Sequence, residues 1–362
     1  MKRLLAIIPG VMVVTVLGCA NAGASPGAIN RPHLAVTRTT TAPTPVLGVD
    51  VEADVAYQPA TAASYGQRLA TYVRQSLDAK SLGIVWDLCD PSFTSDTVSQ
   101  CAESLSPASV AAVVHAATRA GLTVVLRPLI RVGAPSLWGN PSESWEGFIQ
   151  PANQKAWFAS LLGAEKPYLS ILKGVRSASF VAATEPYKNA TSPWWSWLLQ
   201  QARDDCGCTT SIASYIAEYR ENVFPANEMQ GVDWYDQLSL KTNASQAAVT
   251  AAWESGFAKI SPSLLARTTL DEEGIRATAG AYGHPEDWFD GGPSAPQVQV
   301  RWFTAACRTV LRYHMRGMYF YKIPLDDDPA HPFSFPAYFV GNAGSQAIRG
   351  CAQMFKAVGS HA

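Results

Sequence analysis

Two acidic clusters follow apolar runs. Ala178-Ser179-Phe180-Val181-Ala182 leads into Ala183-Thr184-Glu185-Pro186, and Leu264-Leu265-Ala266-Arg267-Thr268-Thr269-Leu270 leads into Asp271-Glu272-Glu273-Gly274. A carboxylate at the end of a buried strand is costly unless it is paired or used. Taken singly, each glutamate reads as a helix-start carboxylate that caps backbone N–H groups. As a pair facing one cleft they have another use. One carboxyl, protonated, releases a leaving oxygen; the other, ionised, attacks carbon or activates water, which is the chemistry of glycoside hydrolysis. Asp271, Glu272 and Glu273 should alternate faces along an extended strand, so Glu272 points inward only if its neighbours do not.

Such a pair needs a scaffold that brings distant strand ends together. From Val46 onward, short β-rich runs alternate with longer Ala/Leu-rich amphipathic stretches. The expected strands are Val46–Val51, Gly83–Leu88, Thr123–Pro128, Ala178–Thr184, Thr210–Tyr215, Gly231–Leu240, Arg267–Glu272 and Gly317–Lys322. Ser106–Ala120 is the clearest helix, with Ser106 as cap, Pro107 in the first turn and Gly121 at the end. Gln297–Arg312 is another. Eight βα units fit a closed (β/α)8 barrel, an α/β fold of one domain over residues 46–362. An open doubly wound sheet would usually carry a Gly-rich phosphate loop after its first strand, and none is present. Nor is there a Gly-x-Ser-x-Gly elbow, a His-Glu-x-x-His or a P-loop. Barrel chemistry sits at the C-terminal strand ends, here Asp50, Asp87, Arg127, Glu185, Tyr215, Glu272 or Glu273, and Lys322.

Composition narrows the partner. The 362 residues carry 28 Lys plus Arg against 29 Asp plus Glu, a net charge of −1 that leaves no broad basic face for nucleic acid. Charged residues make up only 16% and hydrophobic ones 48%, enough for a large core. Eleven Trp are conspicuous beside six Met, and indoles combine an apolar face with an N–H that needs a partner. They serve either as core filling or as a ligand-stacking cleft. Met1-Lys2-Arg3, the apolar run to Val16 and the small residues after it form an export signal, too short to span a membrane with its own flanks. Residues 20–45, rich in Ala, Thr and Pro, read as a tether. Six cysteines remain after Cys19: Cys89, Cys101, Cys206, Cys208, Cys307 and Cys351. Sequence selects none of their 15 pairings, although the spacing suits Cys89–Cys101 and Cys307–Cys351. Oxidised bridges fit an exported protein. Metal binding at Cys206-Gly207-Cys208 is disfavoured because no His pair lies at ligand spacing nearby.

Several segments carry a family resemblance. Gly121-Leu122-Thr123-Val124-Val125-Leu126-Arg127-Pro128, then Trp145-x-Gly147-x-Ile149-x-Pro151 with Trp157-Phe158, then Ala183-Thr184-Glu185, Glu272-x-Gly274-Ile275-Arg276 and Arg316-Gly317-Met318-Tyr319-Phe320-Tyr321 occur in order. Together they resemble a clan A glycoside hydrolase of family 113, the β-mannanase family, over roughly Leu47 to Lys322. The resemblance implies a (β/α)8 barrel and a retaining glycosidase. Ala183-Thr184-Glu185 is similar to the family's Gly-Thr-Glu, which makes Glu185 the acid/base. Glu272-x-Gly274-Ile275-Arg276 is similar to Glu-x-Gly-Tyr-Arg, which makes Glu272 the nucleophile. The strand-eight Trp of the family appears as Tyr321, its strand-six aromatic falls near Leu240, and its usual strand-three Lys appears as Arg127. Val16-Leu17-Gly18-Cys19 also resembles a bacterial lipobox, which implies an envelope lipoprotein anchored at Cys19; ordinary signal-peptidase cleavage near Ala20-Asn21-Ala22 or Ala22-Gly23-Ala24 would instead give a secreted protein.

The expected substrate is a neutral polysaccharide or oligosaccharide, β-mannan-like or another envelope or plant glycan. It is hydrolysed with retention by double displacement, without metal or organic cofactor, in an enzyme expected to be monomeric. Retention needs the two carboxyls about 5–5.5 Å apart. Sugar C–H faces pack on aromatic planes, and Trp138, Trp145, Trp194, Trp195, Trp197, Trp234 and Trp288 fall in or near loops after strands. The expected substrate-binding set is Arg127, Trp138, Trp145, Trp194, Tyr215, Trp234 and Tyr321. Arg127 is also a candidate for holding the nucleophile ionised, and Tyr215 for donating to a carboxylate. His284 and Asp287 read more simply as turn residues. The alternative function is a catalytically inactive carbohydrate-binding lipoprotein on the same barrel. A purely structural envelope protein would leave the paired carboxylates unexplained.

Overall fold

A computed structural model describes residues 44–138, 141–224, 229–289 and 291–359. The export signal, Cys19 and all but the last residues of the tether lie outside them. Eight strands all run parallel: β1 Val46–Glu52, β2 Ser81–Asp90, β3 Thr123–Val132, β4 Ser179–Thr184, β5 Thr209–Tyr215, β6 Met229–Asp233, β7 Thr268–Glu273 and β8 Gly317–Pro324. Each pairs with the next, and β8 pairs with β1, so the sheet closes. A two-residue strand, Ser99–Gln100, lies antiparallel on the end of β2. The principal helices are α1 Pro59–Gln75, α2 Pro107–Arg119, α3 Gln154–Leu169, α4 Trp194–Cys206, α5 Ile216–Glu221, α6 Gln246–Phe257, α7 Pro296–Arg312 and α8 Ala343–Gly359. The protein is a (β/α)8 barrel.

Local chemistry accounts for the elements. Ser106 caps α2 by accepting from the Ser109 N–H at 3.2 Å, with Pro107 in the first turn. Gly121 follows at φ +77°, a conformation that costs glycine nothing. Strand residues facing outward meet the helices in one continuous core, with Trp86, Phe158, Trp195, Trp253 and Trp302 among its buried members. Disulfides Cys89–Cys101, Cys206–Cys208 and Cys307–Cys351 tie, in turn, β2 to its antiparallel partner, the α4–β5 turn, and α7 to α8. No helix among the described residues is long and apolar enough to cross a membrane.

β1, β2 and β3 run past their expected ends, and one strand falls well short. β6 stops at Asp233 instead of continuing to Leu240. Its pairing with β7 shifts register after Val232, and from Trp234 the chain becomes a loop, with Leu238 N–H bonded to Tyr282 O at 2.7 Å. Leu240 therefore lies on no strand.

Candidate active site

The C-terminal strand ends surround a cavity of about 610 Å³. Glu185 and Glu272 both line it, as do Trp138, Trp145, Tyr215 and Tyr321.

Glu185 is the residue after β4. Its backbone adopts φ +42°, uncommon for a side chain of this kind, and its N–H bonds to Ala213 O on β5 at 2.8 Å. Strain of this sort persists where surrounding bonds over-determine it. The indole of Trp145 donates to Glu185 Oε2 at 2.5 Å. That ring is fixed by Phe148 at 4.9 Å and Tyr215 at 5.3 Å, centroid to centroid, and Gly147 leaves room for it: a Cβ there would lie 2.4 Å from the indole. The following residue, Glu146, accepts from Thr184 Oγ1 at 3.0 Å. Two adjacent pairs thus bind crosswise, Trp145 to Glu185 and Thr184 to Glu146. Burial, then the carboxyls of Glu146 and Glu272, push Glu185 well above the usual carboxylate range. Burial likewise pushes Glu146 up to about 7.

Glu272 is held differently. Arg127 Nη1 lies 3.4 Å from Glu272 Oε1, and the Tyr235 hydroxyl donates to Oε2 at 3.3 Å. Burial raises its pKa, while Arg127 and Tyr235 act in the opposite direction. Two coupled carboxyls in one cleft titrate as a pair. The ionised form of Glu272 has Arg127 and Tyr235 in its favour, whereas that of Glu185 has the Trp145 bond.

The floor beneath the cavity is a buried charge cluster. Arg127, fully buried on β3, has Asp50 on β1 and Asp233 on β6 each 3.7 Å away, and Asp271 at 3.9 Å. A Cβ on Gly83 would fall 1.7 Å from Asp50 Oδ1, and one on Gly231 would fall 1.8 Å from Asp271 Oδ2, so these two glycines make room for the carboxylates. Asp271 and Glu272 both reach Arg127, contrary to strict alternation, because β7 changes register against β8 between Leu270 and Glu273. Glu273 points the other way, into the helical layer, where Trp302 donates to it. Among the described residues no group of His, Cys, Asp or Glu is arranged to hold a metal ion.

The profile of Glycoside Hydrolase Family 113 matches residues 76–329. The chain belongs to glycoside hydrolase family 113. It is a glycoside hydrolase. No curated protein matches its sequence. Among solved structures it is similar to a family 113 β-1,4-mannanase, with TM-score 0.70 and 16% identity over 85% of this chain and 98% of that one. It is also similar to the family 113 β-mannanase of Alicyclobacillus acidocaldarius in complex with ManMIm, with TM-score 0.63 and 15% identity over 86% and 97%. A third is a family 5, subfamily 18 enzyme of Streptomyces cattleya in complex with GlcNAc, with TM-score 0.52 and 16% identity over 87% and 81%. At these identities the likeness shows the shared barrel.

In this family 113 enzyme, three members of the expected substrate-binding set lie elsewhere. Arg127 is sealed beneath the cavity, where it meets carboxylates and not ligand. Trp234 is buried, its ring stacked on Phe257 at 3.7 Å, because β6 ends just before it and the loop turns it into the helical layer. Trp194 opens α4 and packs edge-on against Trp197 at 5.8 Å; neither these two nor Trp195 lines the cavity. Trp288 and Glu286 line it, whereas His284 and Asp287 do not. The tyrosine that reaches Glu272 is Tyr235, not Tyr215.

Opposite Glu185 the sequence reading missed a network. Glu52 at the end of β1 meets Arg131 Nη2 at 2.9 Å and Lys322 Nζ at 2.8 Å, and it accepts from the Tyr321 hydroxyl. Arg131 Nε also meets Asp87 at 2.7 Å. The two cations more than offset burial and hold Glu52 down at about 2, while burial takes Asp87 up to about 6. Glu52, Asp87, Arg131 and Lys322 are thus paired with one another, while Glu146, Glu185 and Glu286 add further carboxyls to the lining, and the opening offers hydrogen-bonding groups beside aromatic faces.

Proposed function

We propose that the enzyme is a retaining glycosidase of neutral β-linked saccharides, with Glu185 as acid/base and Glu272 as nucleophile. The observation that carries this is the unequal support of the two carboxyls in one cavity. Glu185 is crowded by Glu146 and Glu272, whereas Glu272 faces Arg127 and Tyr235. Glu272 would attack the anomeric carbon and form a glycosyl ester as Glu185 gives its proton to the departing oxygen. Glu185, now ionised, would take a proton from water as that oxygen attacks the ester and frees Glu272. Arg127 keeps the nucleophile ionised and oriented from below.

A neutral chain fits a cavity lined by more carboxyls than cations, which would repel an acidic glycan, and the β-1,4-mannanase names of solved family members favour a mannose-containing chain. Export, with Cys19 as the lipid-bearing residue, accords with the basic start, short apolar run and small residues at the N-terminus. The test is proton NMR of the first product from manno-, gluco- and xylo-oligosaccharides. A β anomer appearing first is expected, and an α anomer appearing first would mean inversion. Binding without turnover across the panel would favour a carbohydrate-binding protein instead.

A further inference from the structure

Phe289 is the most exposed large hydrophobic residue among the described ones, at 77%. Exposing a whole phenyl ring forgoes the burial that ordinarily places it inside. It also lines the cavity, together with Phe335 and Tyr338. Ring centroids run 6.1 Å from Phe289 to Phe335 and 4.8 Å from Phe335 to Tyr338. None of the three belongs to the hydrophobic core clusters or packs against them. We propose that this aromatic rim is an additional saccharide subsite, which takes sugar units beyond those at the Glu185–Glu272 pair. The inference rests on the glycosidase reading and extends it to chain length.

The rim is built in place. Phe289 lies in the segment after β7 and Phe335 in the one after β8. The two segments are tied by Ala277 N–H to Pro336 O at 2.8 Å. The first is closed on itself by Ala279 N–H to Pro293 O at 2.9 Å and Ala295 N–H to Ala277 O at 2.7 Å. The second is held by Phe333 N–H to Asp327 Oδ1 and Tyr338 N–H to Phe335 O, both at 3.0 Å. Rings held by backbone bonds lose little freedom when a ligand arrives.

The rim is continuous with the catalytic cleft. The Trp288 ring meets Tyr321 at 5.3 Å and Tyr235 at 6.4 Å, and Tyr235 binds Glu272. Its polar flank identifies the class of ligand. Lys322 Nζ stands 3.3 Å from Asp54 Oδ1, with Asp54 57% exposed, and Glu286 lines the same cavity. A pyranose has an apolar C–H face for the rings and hydroxyls for Lys322, Asp54 and Glu286. An alkyl chain would satisfy the rings but desolvate the Lys322–Asp54 pair without return.

The experiment compares kcat/KM of the full chain on β-1,4-linked manno-, gluco- and xylo-oligosaccharides of two to six units, for the wild type, Phe289→Ala, Phe335→Ala and Phe289→Trp. In the alanine variants the ratio of hexasaccharide to disaccharide kcat/KM should fall about tenfold, through KM, and Phe289→Trp should keep it. Melting temperatures within a degree or two of wild type would show that the exposed Phe289 ring is not a structural prop. An unchanged ratio in both alanine variants overturns the inference, as does an equal loss at every length. So does a loss confined to octyl glycosides, which would assign the rim to alkyl groups. A wild type that cleaves none of the panel defeats the reading of the substrate as a neutral β-linked saccharide, and this inference with it.

Discussion

The crosswise bonding of Trp145-Glu146 with Thr184-Glu185 makes Glu146→Gln informative. Gln keeps an oxygen that can accept from Thr184 and removes a charge. Glu146, held by the residue that precedes Glu185, is among the charges that raise Glu185, an effect expected of carboxyls on the order of 6 Å apart. At an effective dielectric of about 20, like charges at that separation repel by roughly 3 kcal/mol, or about two pH units. Glu146 is partly open to the cleft, and solvent brings the effect to about one unit. The charge of Glu146 is among the influences that raise Glu185, second only to burial. Other groups facing the pair are Glu272 on β7, Glu218 on α5 and Arg131 on β3, all left intact by the substitution. The basic limb of kcat/KM against pH reports the free enzyme's acid, and in Glu146→Gln it should move down by about one pH unit. The assay is the pH profile on an aryl glycoside with a good chromophore. A basic limb that stays in place while the rate falls at every pH would refute the electrostatic argument.

Arg127→Met should lower kcat/KM by about 10²-fold or more and raise the acidic limb, because Glu272 loses the charge that keeps it ionised; an acidic limb left in place would contradict this. The same variant should lose about 3–5 kcal/mol of stability at pH 8, and less at pH 5 where the orphaned carboxyls can protonate, measured by urea unfolding at both pH values. Trp234→Ala should cost about 3–5 kcal/mol with KM nearly unchanged, since its ring fills the layer between barrel and α6; a selective rise in KM would return it to the cleft. Stability should also depend on pH in a particular direction. Asp87 and Asp271 at about 6, and Glu146 and Glu218 at about 7, bind protons in the folded state that the unfolded chain has released. Their contribution is therefore fully present below about pH 4 and is lost progressively as pH rises through 6 to 7. Glu52, held at about 2, works oppositely and loses its contribution only as pH falls below about 4.5. The melting temperature should peak near pH 5 and fall toward pH 8; a peak above pH 7 would contradict these directions.

What could be read from the chain follows from which interactions are local. Apolar runs bounded by turns marked all eight strands, and the carboxylates just beyond two of them placed Glu185 and Glu272 at the barrel's C-terminal ends. Arg131 and Glu52 escaped because β3 and β1 run past the expected ends. Carrying the period of two onward from Arg127 would have put Arg131 on the same face. Glu146 and Tyr235 lie on irregular segments without period, where neighbours distant in sequence set the side-chain direction. Trp194 and Trp234 show the same limit in reverse. An indole looks alike in sequence whether it faces a cleft or a helix, and the early end of β6 decided the matter for Trp234. The shared orientation of Asp271 and Glu272 depended on a register change between β7 and β8 that one strand's sequence does not encode.

The central claim, that Glu272 becomes covalently bonded to the sugar and Glu185 assists, is tested most directly by trapping. The protein is incubated with a 2-fluoro glycoside bearing a good leaving group, digested and analysed by mass spectrometry. The account predicts one glycosyl adduct on the peptide carrying Glu272, absent in Glu272→Gln, and still formed in Glu185→Ala, because the activated leaving group needs no proton whereas unactivated glycosides do. Turnover without an adduct, or an adduct on Glu273 or Glu146, would contradict it.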